Sequence, residues 1–172
     1  KESGLKESTG IDVVGLWDHG HVVTIGPNEE VPKSGVLLLA GHKENFDRYD
    51  ELFCIYNVAT APVVILGGGR VGRAAGRALE RREVDYRIVD RDPARFVDDG
   101  KHVLGNAAEF DVLVEAGLRR APAVIITTAD DDTNIYLTVY CRRLRPDIQV
   151  LCRATEERNV TTLHRAGADF VM

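Results

Sequence analysis

The sequence predicts an α/β protein in which a doubly wound parallel sheet of about six strands follows a small α+β lobe. From residue 58 onward, short apolar runs alternate with helical stretches of roughly 10–15 residues, a spacing typical of βαβ units and a parallel sheet. Before residue 58, strand-like runs are separated by turn residues and only one helix is expected. We therefore divide the chain into residues 1–57 and 58–172.

The first part contains three short strand-like segments and one helical segment. The strands are expected at 11–17, 21–25 and 36–40, the last of them buried, and the helix at about 45–52. The peptide Asp18-His-Gly20 is a turn signal between the first two strands. Further turn-forming residues interrupt the chain later: Pro27, Asn28, Pro32 and Gly35. Nothing in this part suggests a chemical role.

The second part begins with Val63-Val-Ile-Leu66, an uninterrupted apolar run of the kind found in a strand that is covered on both faces. The later strands are expected at 86–89, 102–104, 123–127, 149–152 and 169–172. The helices between them are expected at 70–82, 93–96, 110–116, 131–144 and 156–165. Gly117, Pro146 and Gly167 mark the ends of the last three helices.

The peptide Gly67-Gly-Gly-Arg-Val-Gly72 lies directly between a predicted strand and a predicted helix, where it matches the GxGxxG pattern. The first glycine permits a tight turn, the second lets the backbone approach a pyrophosphate, and the third lets the helix pack closely on the sheet. The helix N-terminus would then face the phosphates. We expect a Rossmann-type phosphate loop formed by Gly67, Gly68, Gly69, Arg70, Val71 and Gly72. Arg70 either clamps a phosphate or lies in solvent.

Asp90 ends the second strand of this unit, 21 residues after Gly69. A carboxylate at this place accepts hydrogen bonds from ribose hydroxyls and repels a 2′-phosphate, which favours NAD over NADP. Because NAD, NADH, ADP, ATP and AMP share the adenosine ribose, Asp90 does not separate them. The neighbouring Arg91 would tolerate a phosphate and so weakens the preference. The alternative for Asp90 is a solvated acid at the end of a strand.

Three further groups of residues follow predicted strands, at the edge where open α/β sheets bind their ligands. They are Asn106 and Ala107 after the third strand, Thr127 and Thr128 after the fourth, and Arg153 after the fifth. Both ligand contact and an ordinary loop role fit these positions. No residue is a candidate for catalysis.

The remaining polar residues do not predict a metal site. The run Asp130-Asp-Asp132 begins a predicted helix, where carboxylates cap free N–H groups, and we prefer this interpretation. The five histidines show no HxxxH or HExxH spacing, and Cys54, Cys141 and Cys152 include no CxxC pair. We expect no disulfide or zinc site and interpret Cys141 and Cys152 as packing residues.

Composition and charge exclude several classes of function. The formal net charge is −5 and the basic residues are scattered, so no nucleic-acid partner is expected. No apolar run reaches the roughly 18 residues that span a bilayer, and no signal peptide opens the chain. The first residue is Lys1 and the first ten residues are polar, from which we interpret the chain as a piece of a longer protein.

The predicted helix 131–144 has almost no polar face in its middle. Its apolar positions are Ile135, Tyr136, Leu137, Val139, Tyr140 and Cys141. A helix that is apolar nearly all round is buried on more than one side. Because this helix would already cover a sheet, we hypothesise a second contact, such as a partner subunit.

Residues 62–172 resemble the regulator-of-potassium-conductance (RCK) family, also called the TrkA-N domain. The matching stretches are Gly67–Gly72, Val89–Asp92, Gly105–Ala107, Glu115–Gly117, Asp131–Asn134 and Arg165–Val171. Residues 4–57 are similar, more weakly, to the TrkA-C lobe, through Thr9–Gly15 and Gly35–Gly41. Since the C lobe usually follows the N lobe, the resemblance implies a tandem arrangement with an earlier N lobe and a pore upstream.

The resemblance implies a ligand-sensing regulatory domain and not an enzyme. Such domains lie on the cytoplasmic side of the cell membrane, pair into homodimers or higher rings, and regulate a potassium-conducting pore in the same chain or in a separate subunit. The family's nucleotide contacts match Gly67, Gly69, Arg70, Gly72, Asp90, Asn106 and Thr128, although the family usually has an acid where this chain has Asn106. The alternative is an NAD-dependent oxidoreductase fragment that lacks its substrate domain.

Overall fold

The computed structural model describes residues 4–18, 21–26, 31, 36–49 and 61–172. The chain divides into two compact units, Lys1–Val58 and Ala59–Met172. Among the described residues, no helix has both the length and the apolar character that a bilayer crossing requires. Several residues named above lie outside the described residues: His19 and Gly20 of the predicted turn, the turn-forming residues Pro27, Asn28, Pro32 and Gly35, and Cys54.

The first unit contains a three-stranded antiparallel sheet with the strand order β2-β1-β3. Its elements are α1 (Leu5–Thr9), β1 (Asp12–Asp18), β2 (His21–Val23), β3 (Val36–Ala40) and α2 (Lys43–Tyr49). The three predicted strands are present, but β3 is only partly buried. The described part of the predicted helix begins at Lys43, two residues earlier than expected.

Helix α1 was not expected, because its sequence is polar and shows no apolar periodicity. Its polar side chains bond within the helix: the Thr9 hydroxyl donates to the Leu5 carbonyl oxygen at 2.6 Å, and the Ser8 hydroxyl donates to the Gly4 carbonyl oxygen at 2.6 Å. Leu5 and Thr9 are the buried residues of this helix. Side-chain to main-chain bonds of this kind are invisible to a periodicity argument.

The second unit is the predicted doubly wound sheet. Its six parallel strands are β4 (Val63–Leu66), β5 (Tyr86–Asp90), β6 (His102–Leu104), β7 (Ala123–Ile126), β8 (Gln149–Cys152) and β9 (Phe170–Val171). The spatial order is β6-β5-β4-β7-β8-β9, and every neighbouring pair is parallel. The helices are α3 (Arg70–Glu80), α4 (Phe110–Glu115), α5 (Asp131–Leu144) and α6 (Val160–Ala166).

Two predicted helices are partly 3₁₀ in character. The segment expected as a helix at 93–96 is a 3₁₀ turn, Pro93–Arg95. The helix expected at 156–165 begins as a second 3₁₀ turn, Glu157–Asn159, and continues as α6. The first of these turns matters for the candidate site described below.

Apolar clusters lie on both faces of the parallel sheet. The larger cluster joins β4, β7 and β8 to α4, α5 and α6 through residues such as Leu66, Leu113, Leu137 and Leu163. The smaller cluster packs Val63 and Ile65 of β4, with Tyr86 and Ile88 of β5, against Ala75 and Leu79 of α3. All four residues of β4 are therefore buried, as the uninterrupted apolar run predicts.

Candidate functional site

The central strands place three loops at one edge of the sheet. Leu66 at the end of β4 pairs with Val89 of β5 on one side and with Ile126 of β7 on the other. The connection after β4 leads to β5 on one side of the sheet, whereas the connection after β7 leads to β8 on the other side. The edge between β4 and β7 is therefore a topological switch point. A cavity of about 1270 Å³ lies there. Its walls come from the loops that follow β4, β5, β6, β7 and β8.

Nearly all of the predicted site residues line this cavity. They are Gly67, Gly69, Arg70, Val71, Asp90, Arg91, Asn106, Ala107, Thr127, Thr128 and Arg153. Gly68 and Gly72 belong to the same loop but do not line the cavity, and their predicted ligand contact stays a prediction. Among the residues that were not predicted, Asp92, Arg95, Asp130, Thr133 and Tyr136 also line it.

The glycines of the loop are required for different structural reasons. Gly67 has a φ of 109°, in the left-handed region, which allows the tight turn after β4. A Cβ added to Gly72 would lie 1.9 Å from the Gly67 carbonyl oxygen and 2.9 Å from Thr127 Oγ1, so Gly72 is required for close packing. A Cβ added to Gly69 would meet only Arg95 Nη1, at 4.0 Å. Gly69 is therefore open to the cavity rather than packed.

Helix α3 presents its N-terminus to the cavity. Gly69 is its N-cap and offers no side chain to the first free amides. Gly69, Arg70 and Val71 line the cavity at this point. Free amides and the positive end of the helix dipole together favour an anion.

Asp90 lies beside this helix N-terminus and accepts three hydrogen bonds. Oδ2 accepts from the Gly68 N–H at 2.6 Å and from Arg95 Nη1 at 3.2 Å, and Oδ1 accepts from the Asp92 N–H at 2.9 Å. Burial alone would raise the pKa of Asp90, but these hydrogen bonds and the Arg95 charge outweigh it and lower the pKa. Asp90 is thus a carboxylate at neutral pH, held at the cavity wall by the glycine loop.

Arg95 was missed by the sequence analysis, which treated residues 93–96 only as a short helix. Asp92 caps the 3₁₀ turn by accepting from the Ala94 N–H at 3.0 Å. The turn carries Arg95 back towards the end of β5, where Arg95 Nε lies 3.3 Å from Asp92 Oδ2 as well as pairing with Asp90. An N-cap aspartate before proline predicts such a turn. The direction of the arginine side chain is visible only in three dimensions.

The polar side chains after β7 hold the cavity wall together. The Thr127 hydroxyl donates to the Gly67 carbonyl oxygen at 3.0 Å and to that of Leu66 at 3.3 Å. The Thr128 hydroxyl donates to Asn134 Oδ1 at 2.6 Å, and Asn134 Nδ2 donates to the Arg153 carbonyl oxygen at 3.0 Å. Both threonine hydroxyls are therefore used inside the protein, which favours the loop role over ligand contact through their side chains.

Asn106 also has an internal partner. Its Oδ1 accepts from the Ala108 N–H at 3.1 Å, which shapes the loop after β6. This bond leaves the Asn106 amide nitrogen as the donor that this residue can offer to the cavity. Ala107 contributes an apolar surface beside it.

Asp130 and Asp131, in the acidic run at the start of α5, have different structural roles. Asp130 is the N-cap and accepts from the Thr133 N–H at 2.8 Å, as predicted. Asp131 does not cap its own helix, which corrects the prediction for this residue. It is buried and accepts from the N–H groups of Thr155 at 2.8 Å and Glu156 at 3.0 Å, and from Asn159 Nδ2 at 2.8 Å. Asp131 therefore ties α5 to the loop after β8.

The pKa of Asp131 reflects these contacts. Burial would raise the pKa, but the hydrogen bonds from Asn159, Thr155 and Glu156 prevail and lower the pKa from 3.8 to about 2. Within the described residues, no cluster of three or more His, Cys, Asp and Glu side chains is arranged to hold a metal ion. Asp131 is thus a structural carboxylate.

Both described cysteines are buried, as expected for packing residues. Burial raises the pKa of the Cys141 thiol to about 12 and that of the Cys152 thiol to about 11. Because a thiolate is the reactive form of cysteine, these protonated thiols are unsuited to nucleophilic or redox chemistry.

Comparison with known proteins relates the second unit to the TrkA-N domain. The sequence model of the TrkA-N domain matches residues 63–172. The chain is 25% identical over 143 residues to Probable potassium channel protein 2 of Methanocaldococcus jannaschii. This alignment covers 79% of this chain and 42% of that protein. It is 32% identical over 114 residues to the Trk system potassium uptake protein TrkA of Streptomyces coelicolor. This second alignment covers 63% of this chain and 51% of that protein. The chain thus spans about half or less of these relatives.

Solved structures show the same relationship. The GsuK channel superimposes with a TM-score of 0.70 and 36% identity, over 99% of this chain and 31% of that chain. The GsuK channel bound to NAD superimposes with a TM-score of 0.66 and 36% identity, over 99% of this chain and 31% of that chain. GsuK bound to ADP gives a TM-score of 0.61 and 40% identity, over 67% of this chain and 31% of that chain.

Proposed function

The chain belongs to the TrkA-N domain family, and from that premise we propose that it is a regulatory domain that binds an adenine nucleotide and couples binding to the gating of a potassium channel or transport system. One observation carries the proposal. One cavity at the switch point of the sheet is lined both by free helix amides and by an ionised, positioned Asp90. These two groups are complementary to the phosphates and the ribose of one adenosine nucleotide.

The proposed pose follows from these walls. The phosphates lie on the amides of Gly69, Arg70 and Val71, with the Arg70 guanidinium beside them. The ribose hydroxyls donate to Asp90. The base lies against the loop after β6, near Asn106 and Ala107. Gly68 and Gly72 support the pose from behind by holding Asp90 and the start of α3.

The size of the cavity supports a dinucleotide as one candidate ligand. Its volume of about 1270 Å³ exceeds the roughly 300–1000 Å³ of ordinary small-molecule pockets. It continues past Gly67 to Thr127, Thr128 and Arg153, where the second half of NAD or NADH would lie. The related GsuK structures carry NAD in one case and ADP in another, so ADP, ATP and AMP remain the alternative ligands.

Two carboxylates of the cavity, Asp90 and Asp130, are poorly suited to the acid–base step of an oxidoreductase. Such an enzyme needs an acid or base whose pKa lies near the working pH. Hydrogen bonds from Thr133 lower the pKa of Asp130, and the pKa of Asp90 is lowered as well. Neither carboxylate is therefore a good proton donor or acceptor at neutral pH.

Coupling to gating is proposed as a population shift. A nucleotide that binds one conformation of a homodimer or ring more tightly biases the pore by the difference in binding free energy. The potassium-conducting pore is proposed to lie in the same longer chain or in a separate subunit, with this domain on the cytoplasmic side of the membrane.

Calorimetric titration with NAD, NADH, ADP, ATP and AMP tests the proposal. We expect at least one of them to bind without turnover, and Asp90→Ala to weaken it by about 10- to 100-fold, since hydrogen bonds to a charged group contribute about 1.5–3 kcal/mol. Asp98→Ala removes the same charge from an exposed position outside the cavity and is the matched control. Absence of binding by all five ligands contradicts the proposal. Consumption of NADH with a simple carbonyl compound would support the oxidoreductase instead.

A further inference from the structure

We propose that Arg95 is an internal competitor of the nucleotide: it occupies the ribose-binding carboxylate of Asp90 in the free protein, and a ribose with both hydroxyls must displace it. This inference rests on the proposed function and adds to it a residue that sets affinity and sugar preference. Its basis is the number of hydrogen bonds that Asp90 already accepts.

Asp90 has too few free lone pairs for a ribose. A carboxylate offers about four acceptor positions. Three are used, by the N–H groups of Gly68 and Asp92 and by Arg95 Nη1. Since the two ribose hydroxyls need two positions, one of the present donors has to leave.

Arg95 is the donor that can leave. Gly68 and Asp92 donate through main-chain amides, and the backbone shortly before each of them is held. The Gly67 N–H bonds to the Val89 carbonyl oxygen at 2.8 Å, and the Gly105 N–H bonds to the Asp90 carbonyl oxygen at 3.0 Å. The Arg95 side chain is 46% exposed, and its contact with Asp90 is the longest of the three.

The position of Arg95 places it in the path of the ligand. Arg95 Nη1 lies 3.2 Å from Asp90 Oδ2 and 4.0 Å from the point where a Cβ on Gly69 would stand, so the guanidinium borders both the sugar-binding carboxylate and the phosphate loop. After displacement, Arg95 keeps a partner, because its Nε also lies 3.3 Å from Asp92 Oδ2. Nucleotide binding therefore breaks the ion pair between Arg95 and Asp90 but does not leave Arg95 without a charged partner.

Only a ligand with both ribose hydroxyls has to displace Arg95 from Asp90. A 2′-deoxyribose needs only one acceptor position, which is free, and can bind with Arg95 in place. In the wild type, the full ribose gains a hydrogen bond but loses the Arg95 pair. Removing Arg95 is therefore expected to favour the ribonucleotide over its deoxy analogue.

The test compares ADP with 2′-deoxy-ADP by calorimetry in the wild type, in Arg95→Met and in Arg77→Met. Both ligands carry the same phosphates, so the lost positive charge cancels in the ratio of their two Kd values. The ratio of the Kd for 2′-deoxy-ADP to the Kd for ADP is expected to rise about 2- to 5-fold in Arg95→Met, the range that an exposed ion pair supports. Arg77 is exposed on α3 and does not line the cavity, so Arg77→Met should leave the ratio unchanged.

The possible outcomes separate the two proposals. A ratio that stays constant or falls in Arg95→Met overturns the inference while leaving nucleotide binding intact, and so does an equal rise in Arg77→Met. A smaller rise in Arg95→Gln, whose amide still donates one hydrogen bond, supports the inference. If neither ligand binds the wild type or any variant, the inference fails, whereas the proposed function fails only if NAD, NADH, ATP and AMP do not bind either.

Discussion

Gly69 and Gly72 lie three residues apart in one loop, yet an added methyl group would meet different surroundings at each. At Gly72 it would overlap the Gly67 carbonyl oxygen, at 1.9 Å. At Gly69 the backbone has a φ of −70°, which any residue adopts, and nothing but Arg95 Nη1 lies within 4.0 Å. One glycine is therefore needed for folding, and the other leaves room for a ligand.

Alanine substitutions should separate these two requirements. Gly72→Ala is expected to destabilise the protein by about 1–3 kcal/mol or more, because overpacking displaces the loop from α3. Gly69→Ala should leave the melting temperature nearly unchanged but weaken ADP or NAD at least about 10-fold, because the methyl group would occupy the space proposed for the phosphates. Thermal melting and calorimetry measure the two effects. Equal affinity in Gly69→Ala and the wild type would remove Gly69 from the proposed site.

At this scale, the sequence predicts what local geometry determines. The glycine spacing and the position of Asp90 follow from a strand, a turn and a helix, so both could be anticipated. Arg95 could not, because its contact with Asp90 depends on how a 3₁₀ turn folds back on β5. Asp131 was misassigned for a related reason: its partners Thr155 and Asn159 are distant in sequence.

Helix α5 has two kinds of apolar surface. Leu137 and Cys141 are buried in the larger cluster of the second unit. Tyr136 and Val139 are 52% and 40% exposed, and the Tyr136 ring stacks on Tyr140 with 5.8 Å between centroids. Tyr136 also borders the cavity. The all-round apolar character predicted for this helix is thus divided between the core and an exposed strip. The partner subunit expected on that strip stays a prediction.

Val139→Glu tests this strip without altering the cavity, which Val139 does not line. We expect the wild type to be a dimer or larger at micromolar concentration. The substitution should raise its dissociation constant by about 10-fold or more, because a buried, unpaired charge is costly. Light scattering measures the mass. Val97→Glu changes an exposed valine elsewhere and is the control. A monomeric wild type at these concentrations would count against the strip as an interface.

The loop after β8 is held by the Asp131 carboxylate, so the stability of the protein should depend on pH. The pKa of Asp131 is lowered in the folded protein from 3.8 to about 2, so the ionised form stabilises the fold. That contribution is fully present above about pH 4 and is lost as the pH falls from about 4 towards 2.

Asp131→Asn should therefore be less stable than the wild type at pH 7, and the difference should shrink as the pH falls to 3. Melting temperatures at pH 7, 5 and 3 measure this change. Asp132→Asn, at the exposed neighbouring position, is the matched control. If the gap between wild type and Asp131→Asn stayed constant across this range, the account of the Asp131 contacts would be incorrect.

On the scale of the whole molecule, the second unit contains its own core. Both apolar clusters of the parallel sheet draw only on residues between Val63 and Val171. The alternation of apolar runs and helices was sufficient to predict this unit, because parallel strands buried on both faces leave a strong signal. The first unit was harder to predict, since its strands are only partly buried and the polar sequence of α1 has no apolar periodicity.

A fragment of residues 59–172 should therefore fold alone. We expect one cooperative thermal transition and an affinity for ADP or NAD within about twofold of the whole chain, because the site and both clusters lie inside this unit. Loss of cooperative unfolding in the fragment would mean that the first unit contributes to the core. The assignment of that first unit as a TrkA-C-like lobe stays a prediction.

A crystal structure of the protein grown with ADP tests the central claim most directly. The account predicts the diphosphate on the amides of Gly69, Arg70 and Val71, and the ribose hydroxyls within hydrogen-bonding distance of Asp90. Arg95 should have moved from Asp90 to Asp92. ADP bound elsewhere, or in this cavity without contact to Asp90 or the glycine loop, would contradict the account.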